Sequence, residues 1–367
     1  MNCCIENLTP AFAQNNTVVV FETSAKFVPY LSVAIGSIIA NSTVENNYDI
    51  IILSSELGSY EEASLVELGR SYSNVSVRVF NPRSLVKRYL DEATHYYLEI
   101  NYYRLALPWI LSKYEKAINL GADLIVNKDI ALLYGQELSP DSYIGGVIDL
   151  GYLGRLNLDI AKSELALSDE KSYVNADVLL INLKKIREDY NIEEVMELWQ
   201  RYRFRCAEQD VFNKLFDGHI EHLDMRWNVF PENMSSIRDI NYAPQELQRV
   251  WRQANKDPFI IHYSAEPKPW ACPIVGYSEL WWEHAKHSPY YFQLLKEVAD
   301  VTKYERKQKI QHIQDVIVPL HKRNNAIWKM IKNIRTFRKR GHLNCFGMYT
   351  EDRRRAKLPV NYGKSNQ

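Results

Sequence analysis

Cysteine is scarce in this 367-residue chain: Cys3, Cys4, Cys206, Cys272 and Cys345 form no CxxC pair and no Cys/His ladder. That argues for a reducing compartment and against a zinc site. No run approaches the length of a membrane span, and the opening MNCCIENLTPAFAQNNTVVVF has neither a basic start nor an apolar leader core. A cytoplasmic protein without a spanning helix is therefore expected. Two common nucleotide signatures are also missing. No GxGxxG follows the first β-rich run and no GxxxxGK[ST] occurs, which argues against a common dinucleotide site and a P-loop ATPase.

Net charge is absent too, since 45 Lys and Arg balance 45 Asp and Glu, but the balance is uneven along the chain. From Tyr291 to the end, 18 basic residues face 6 acidic ones, leaving residues 1–290 acidic by the same margin. Nucleic-acid binding by the larger part is not expected, whereas the basic end suits an anionic surface.

What is present is an α/β rhythm. The β-rich runs TVVVF (17–21), YDIIIL (48–53), NVSVRVF (74–80), KAINL (116–120) and YIGGVID (143–149) alternate with helical patterns such as FVPYLSVAIGSIIANS (27–42). This spacing predicts a mostly parallel sheet with helices packed on it. Further on, 172–189 reads as a buried strand and a polar helix, 191–218 as mainly helical, and 219–230 as an alternating strand. The segment 257–273 reads as a strand followed by a loop stiffened by Pro267, Pro269 and Pro273. The remainder divides into a basic amphipathic helical appendage (291–340) and a polar basic tail (341–367) expected to be partly disordered, behind a main domain at 15–290.

Several polar residues fall where such folds place ligands. Asp123 follows AINL at the carboxyl edge of the sheet, where it serves either a ligand or a turn. His262 closes FIIHYS six residues before Lys268 in EPKPW; an imidazole can ligate a metal and an ammonium can neutralise a phosphate, or both are ordinary edge and surface residues. Glu208, Gln209 and Asp210 stand together in AEQDVFNKLF, as site residues or as a helix N-terminal turn. Asn175 and Asp177 in VNAD flank a buried strand and either orient hydroxyls or satisfy backbone groups. Tyr102, Tyr103 and Arg104 suit a sugar or phosphate surface, or aromatic packing.

Taken in order, YYRLALPWILSKYEKAINLGADLIVNKDIALLY, YVNADVLLINLKKIR, AEQDVFNKLF and IIHYSAEPKPW make the chain resemble glycosyltransferase family 8 over about residues 17–290. This is the retaining group that includes lipopolysaccharide glucosyl- and galactosyltransferases and glycogenin. The resemblance implies a GT-A nucleotide-sugar fold, a UDP-sugar donor, Mn2+ (or Mg2+), and a glycan or lipid-linked acceptor in cell-surface polysaccharide synthesis. It assigns Asp123 and His262 to the metal and Lys268 to the diphosphate. Arg104, Asn175, Asp177, Glu22 and Ser24 fall on the donor side, and Asp149 in GGVIDLG on the acceptor side. Glu208, Gln209 and Asp210 fall at the reacting sugar.

The departures from the family pattern are specific. LDAD becomes LGAD, so Gly121 stands where the first metal aspartate belongs, and FNAG becomes VNAD, with Asp177 in place of glycine. DQD becomes Glu208, Gln209, Asp210. The uridine-reading aspartates and the asparagine after them are replaced by Ser24, Ala25 and Lys26, leaving Glu22 as the nearest acid. Two readings follow: a retaining hexosyltransferase with an altered site, or a catalytically impaired relative that binds carbohydrate or nucleotide as an interaction protein. A homo-oligomer and peripheral contact with an anionic membrane through the basic end are further expectations.

Overall fold

A computed structural model describes residues 8–90, 99–155, 164–202, 204–232, 234, 240–272 and 274–300. The chain divides into a main unit, 1–269 with 273–295, and a second unit, 270–272 with 296–367. In the second unit residues 296–300 are helical; most of the basic appendage and all of the tail lie outside the described residues.

The main unit is built on a seven-stranded sheet whose strands are β1 (Asn16–Glu22), β2 (Asn47–Leu53), β3 (Val75–Phe80), β4 (Ala117–Leu120), β6 (Ile144–Ile148), β7 (Val174–Ile181) and β8 (Ile220–His222). Their order is β3-β2-β1-β4-β7-β6-β8. The pairs β3/β2, β2/β1, β1/β4 and β6/β8 are parallel, and β7 runs antiparallel to both β4 and β6. This is the mixed, mostly parallel α/β sheet expected from the sequence. The residues of β1 and β2 are almost wholly buried, which explains why both read as continuous apolar runs rather than alternating ones.

A separate two-stranded ribbon pairs β5 (Leu124–Val126) with β9 (Ile260–His262) in antiparallel register, Leu124 opposite His262. The helix Val28–Ala40 holds this ribbon in place. Its Ser37 hydroxyl accepts from Val126 N at 2.8 Å, and the Asn41 side chain just beyond it donates to Val126 O at 2.9 Å. On its other side the helix meets Ser278–Ala285, with a Ser32–Ser288 hydroxyl contact of 2.6 Å beside it. The apolar sheet and its helix thus fix the place where β4 ends and β5 begins, the turn that carries Asp123.

One expectation is corrected. The stretch 219–230 is a strand only at Ile220–His222; Met225–Asn228 forms a 3-10 turn, because the Asp224 carboxylate accepts from Arg226 N at 2.9 Å and caps it. Val229 then bridges to Ile261 beside β9. The turn delivers Asn228 to the buried side of His262.

Candidate active site

Asp123 and His262 meet where the turn before β5 lies against the end of β9. The Asp123 carbonyl accepts from Tyr263 N at 2.9 Å, which holds that turn in place one step beyond the β5/β9 pairing. His262 Nε2 lies 3.3 Å from Asp123 Oδ1 and 3.6 Å from Asp177 Oδ2. The ligand atoms of these three residues lie within 4.8 Å of one another, and no other such group occurs among the described residues. Lys268 Nζ donates to Asp123 Oδ2 at 2.6 Å and also to the Tyr263 carbonyl. Its loop is steadied by Trp282 Nε1, which donates to Pro269 O at 3.2 Å. Burial works against the Asp123 carboxylate, but the neighbouring Lys268 ammonium overcomes it and holds the carboxyl well below the usual aspartate range.

The tautomer of His262 follows from a chain of hydrogen bonds. Asp177 N–H donates to Asn175 Oδ1 (3.0 Å), which fixes the Asn175 amide. Asn228 Nδ2 donates to the same oxygen (2.9 Å), so Asn228 Oδ1 faces His262 Nδ1 (2.9 Å) and accepts its proton. In the neutral ring the lone pair therefore sits on Nε2. That atom is fully buried, makes no hydrogen bond and faces two carboxylates. A buried acceptor directed at anions is costly unless a cation lies between them, and imidazole with two carboxylates is a donor set suited to Mn2+ or Mg2+.

Charge supports the same fit. Arg104, on the helix Glu99–Leu105, is buried and bridges three acids: its Nε donates to Glu22 Oε2 (3.1 Å) and its Nη1 to Asp177 Oδ1 (3.0 Å) and Glu208 Oε1 (2.8 Å). Together with the Lys268–Asp123 pair, the connected cluster sets four carboxylates against two cationic side chains. Burial raises the Glu22 carboxyl above its ordinary value although Arg104 and Asn119 oppose the shift, and burial raises Glu208 against the pull of Arg104. Excess negative charge of this kind matches a divalent cation.

A second network surrounds Gln209. Its Oε1 accepts from Asn175 Nδ2 and Ala176 N, both at 3.0 Å, while its Nε2 donates to Asp149 Oδ2 and to the Tyr173 hydroxyl, both at 3.1 Å. Asp149 is fixed in turn, its Oδ1 accepting from Tyr152 N (2.8 Å) and its Oδ2 from Asn175 (3.1 Å). Asp210 meets this network through Tyr173. It accepts from Tyr173 Oη (2.6 Å) and from the amides of Arg205 and Cys206 (2.8 Å each), tying down the chain that enters the helix Glu208–Leu215.

The structure thus brings Asp123, Asp177, His262, Lys268, Arg104, Glu208 and Glu22 into one cluster and Gln209, Asn175 and Asp149 into the adjoining network. Glu22 lies deep, held also by Asn119 Nδ2 at 2.9 Å. Ser24 stands apart at the start of a 3-10 turn, its carbonyl accepting from Phe27 N at 3.0 Å. Asn228, Asn119 and Tyr173 were not singled out in the sequence. Each gains its role only from a partner far along the chain: Asn119 from Glu22, Tyr173 from Asp210, Asn228 from Asn175 and His262.

A sequence profile described as Glycosyl transferase family 8 matches residues 18–272. A candidate glycosyltransferase of Haemophilus influenzae is 25% identical over 260 residues, covering 69% of this chain and 72% of that protein. Human Glycosyltransferase 8 domain-containing protein 2 is 22% identical over 312 residues, covering 75% and 84%. Among solved structures, the apo WbbM bifunctional glycosyltransferase superposes with a TM-score of 0.73 at 22% identity, covering 79% of this chain and 53% of that one, so this chain spans about half of WbbM. The galactosyltransferase LgtC, in complex with donor and acceptor sugar analogs, superposes with a TM-score of 0.58 at 25% identity, covering 74% and 96%.

Proposed function

The chain belongs to glycosyltransferase family 8, a family of sugar-transferring enzymes with the GT-A fold, and from that premise we propose that it moves a hexose from a UDP-sugar to a hydroxyl of a glycan or lipid-linked acceptor, retaining the anomeric configuration. The observation that carries this reading is the buried, unpartnered Nε2 of His262 facing Asp123 and Asp177. A relative that had lost its chemistry has no need to keep a buried imidazole lone pair against two carboxylates. Asp123, Asp177 and His262 would hold a divalent cation, which when bound supplies positive charge to the diphosphate leaving group.

The protein's own residues account for the rest. Lys268 pairs with Asp123, and in this reading its ammonium neutralises charge that develops on the departing phosphate. Gln209 has both amide ends engaged by the chain, so it serves to orient the reacting face rather than to attack it. That favours a same-face transfer: the acceptor oxygen bonds to the anomeric carbon as the bond to UDP breaks, and the acceptor's proton passes to the departing diphosphate. Asp149, which accepts from Gln209 Nε2 at 3.1 Å, is the residue this reading assigns to the acceptor side.

The test is a calorimetric titration of the full chain with UDP, with and without Mn2+. UDP binding strengthened by Mn2+ is the expected result, and absence of UDP binding under every metal condition would overturn the reading.

A further inference from the structure

Gly121 and Asp177 are cross-strand neighbours. The β4/β7 register pairs Leu120 with Val178, and Gly121 N donates to Asp177 O at 2.9 Å, carrying the antiparallel ladder one pair further. Opposed residues of such a ladder put their side chains on the same face of the sheet, so a carboxylate from either strand reaches one shared space. The structure has that space filled from one side only. A Cβ added at Gly121 would sit 3.0 Å from both Cβ and Oδ1 of Asp177 and 3.1 Å from Asp123 Oδ1, closer than ordinary van der Waals contact.

Asp177 is also held in a manner suited to presenting a ligand. Its Oδ1 is bound by Arg104 and its backbone amide by Asn175, while its Oδ2 is turned toward His262 Nε2. Arg104 thereby fixes one carboxylate oxygen and leaves the other directed at the site. In sequence the chain has LGAD where the resemblance implies LDAD and VNAD where it implies FNAG.

Resting on the metal-dependent reading above, we infer that the site's second carboxylate has been transposed across the sheet, from position 121 on the β4 side to position 177 on β7. Asp177 is thus a metal ligand, and residues 121 and 177 are interdependent. Asp177 enters from the strand that also carries Asn175, so the ligand and the amide that fixes the Asn228–His262 tautomer chain belong to one three-residue segment. The glycine at 121 is required because it leaves room for that entry.

The test measures Mn2+ binding by calorimetry and by the Mn2+ electron paramagnetic resonance signal, without donor or acceptor, on wild type, Asp177→Asn, Asp177→Ala, Gly121→Asp and the double variant Gly121→Asp/Asp177→Ala. Circular dichroism and thermal melting serve as folding controls. Both Asp177 variants should lose at least roughly 10- to 100-fold in Mn2+ affinity, the range that loss of an outer-shell partner alone produces. The double variant should regain most of that loss, although Gly121→Asp alone lowers the melting temperature because two side chains then contend for one space. Asp177→Asn keeps the shape of the side chain and guards against a simple packing defect. Wild-type affinity in Asp177→Asn, or a folded double variant that binds no better than Asp177→Ala, would overturn the transposition while leaving the metal-dependent reading intact. Absence of Mn2+ binding by the wild type would overturn both.

Discussion

Replacing Asn228 by alanine isolates the part of the metal site that no ligand list contains. The substitution removes the acceptor of the His262 Nδ1 proton and the donor to Asn175 Oδ1. Asn175 Oδ1 retains its bond from Asp177 N, so the uncompensated loss falls on His262 Nδ1, in a side chain with 0% exposure. An orphaned buried donor costs about 1–3 kcal/mol, so the metal-free variant should unfold at correspondingly lower denaturant concentration. The ring also loses the contact that fixes its tautomer and orientation. Loss of such a partner weakens metal binding by roughly 10- to 100-fold, or about 1.4–2.7 kcal/mol. Asn228→Asp supplies the control, since a carboxylate still accepts the Nδ1 proton and should keep Mn2+ affinity closer to wild type than alanine does. Titration calorimetry with Mn2+, alongside urea denaturation in EDTA, reads both quantities. If Asn228→Ala is destabilised yet binds Mn2+ as tightly as wild type, the inference that Nε2 carries a ligand lone pair is wrong.

Other perturbations separate the remaining roles. Lys268→Met should lower kcat by about 10²–10³-fold if the ammonium offsets charge on the leaving group, measured as UDP release at saturating donor; an unchanged kcat removes Lys268 from the chemistry. The lowered carboxyl of Asp123 contributes stability above its ordinary pKa of 3.8 that is lost as pH falls toward the depressed folded value. The melting-temperature gap between wild type and Asp123→Asn in EDTA should therefore narrow on acidification below that value, and a pH-independent gap contradicts the assignment. Gln209→Glu would set a carboxyl against Asp149, now 3.1 Å from the amide nitrogen, costing about 1–3 kcal/mol when ionised. Like-charge contact raises the folded pKa of that carboxyl, so the destabilisation should grow as pH rises through it and shrink at lower pH. We further propose that the basic C-terminal region contacts anionic membranes; the full chain should then co-sediment with anionic vesicles and a chain lacking residues 300–367 should not, whereas equal sedimentation contradicts it.

The parallel half of the sheet was legible because β1 and β2 are buried on both faces and their residues run apolar without interruption. Asp123 was legible only as ambiguous: the same residue at the same strand end serves a turn or a ligand, and what decides between them is His262, 139 positions later, on the strand that pairs with β5. The misread strand at 219–230 shows the limit of alternation. A capping aspartate at 224 curled Met225–Asn228 into a turn that the apolar pattern did not reveal. Asn228 was illegible for the same reason, since an asparagine beside a tryptophan carries no signal until the ring it bonds is known. Gly121 and Asp177 were each visible as a departure from the family pattern. Their relation to one another required the β4/β7 pairing, which joins positions 56 residues apart.

A working, metal-dependent UDP-sugar transferase releases UDP from at least one of a panel of UDP-hexoses when the full chain is assayed in Mn2+, and that release is lost in EDTA and in His262→Ala. Failure of every donor to turn over in Mn2+, or turnover that persists undiminished in EDTA and in His262→Ala, rules such an enzyme out.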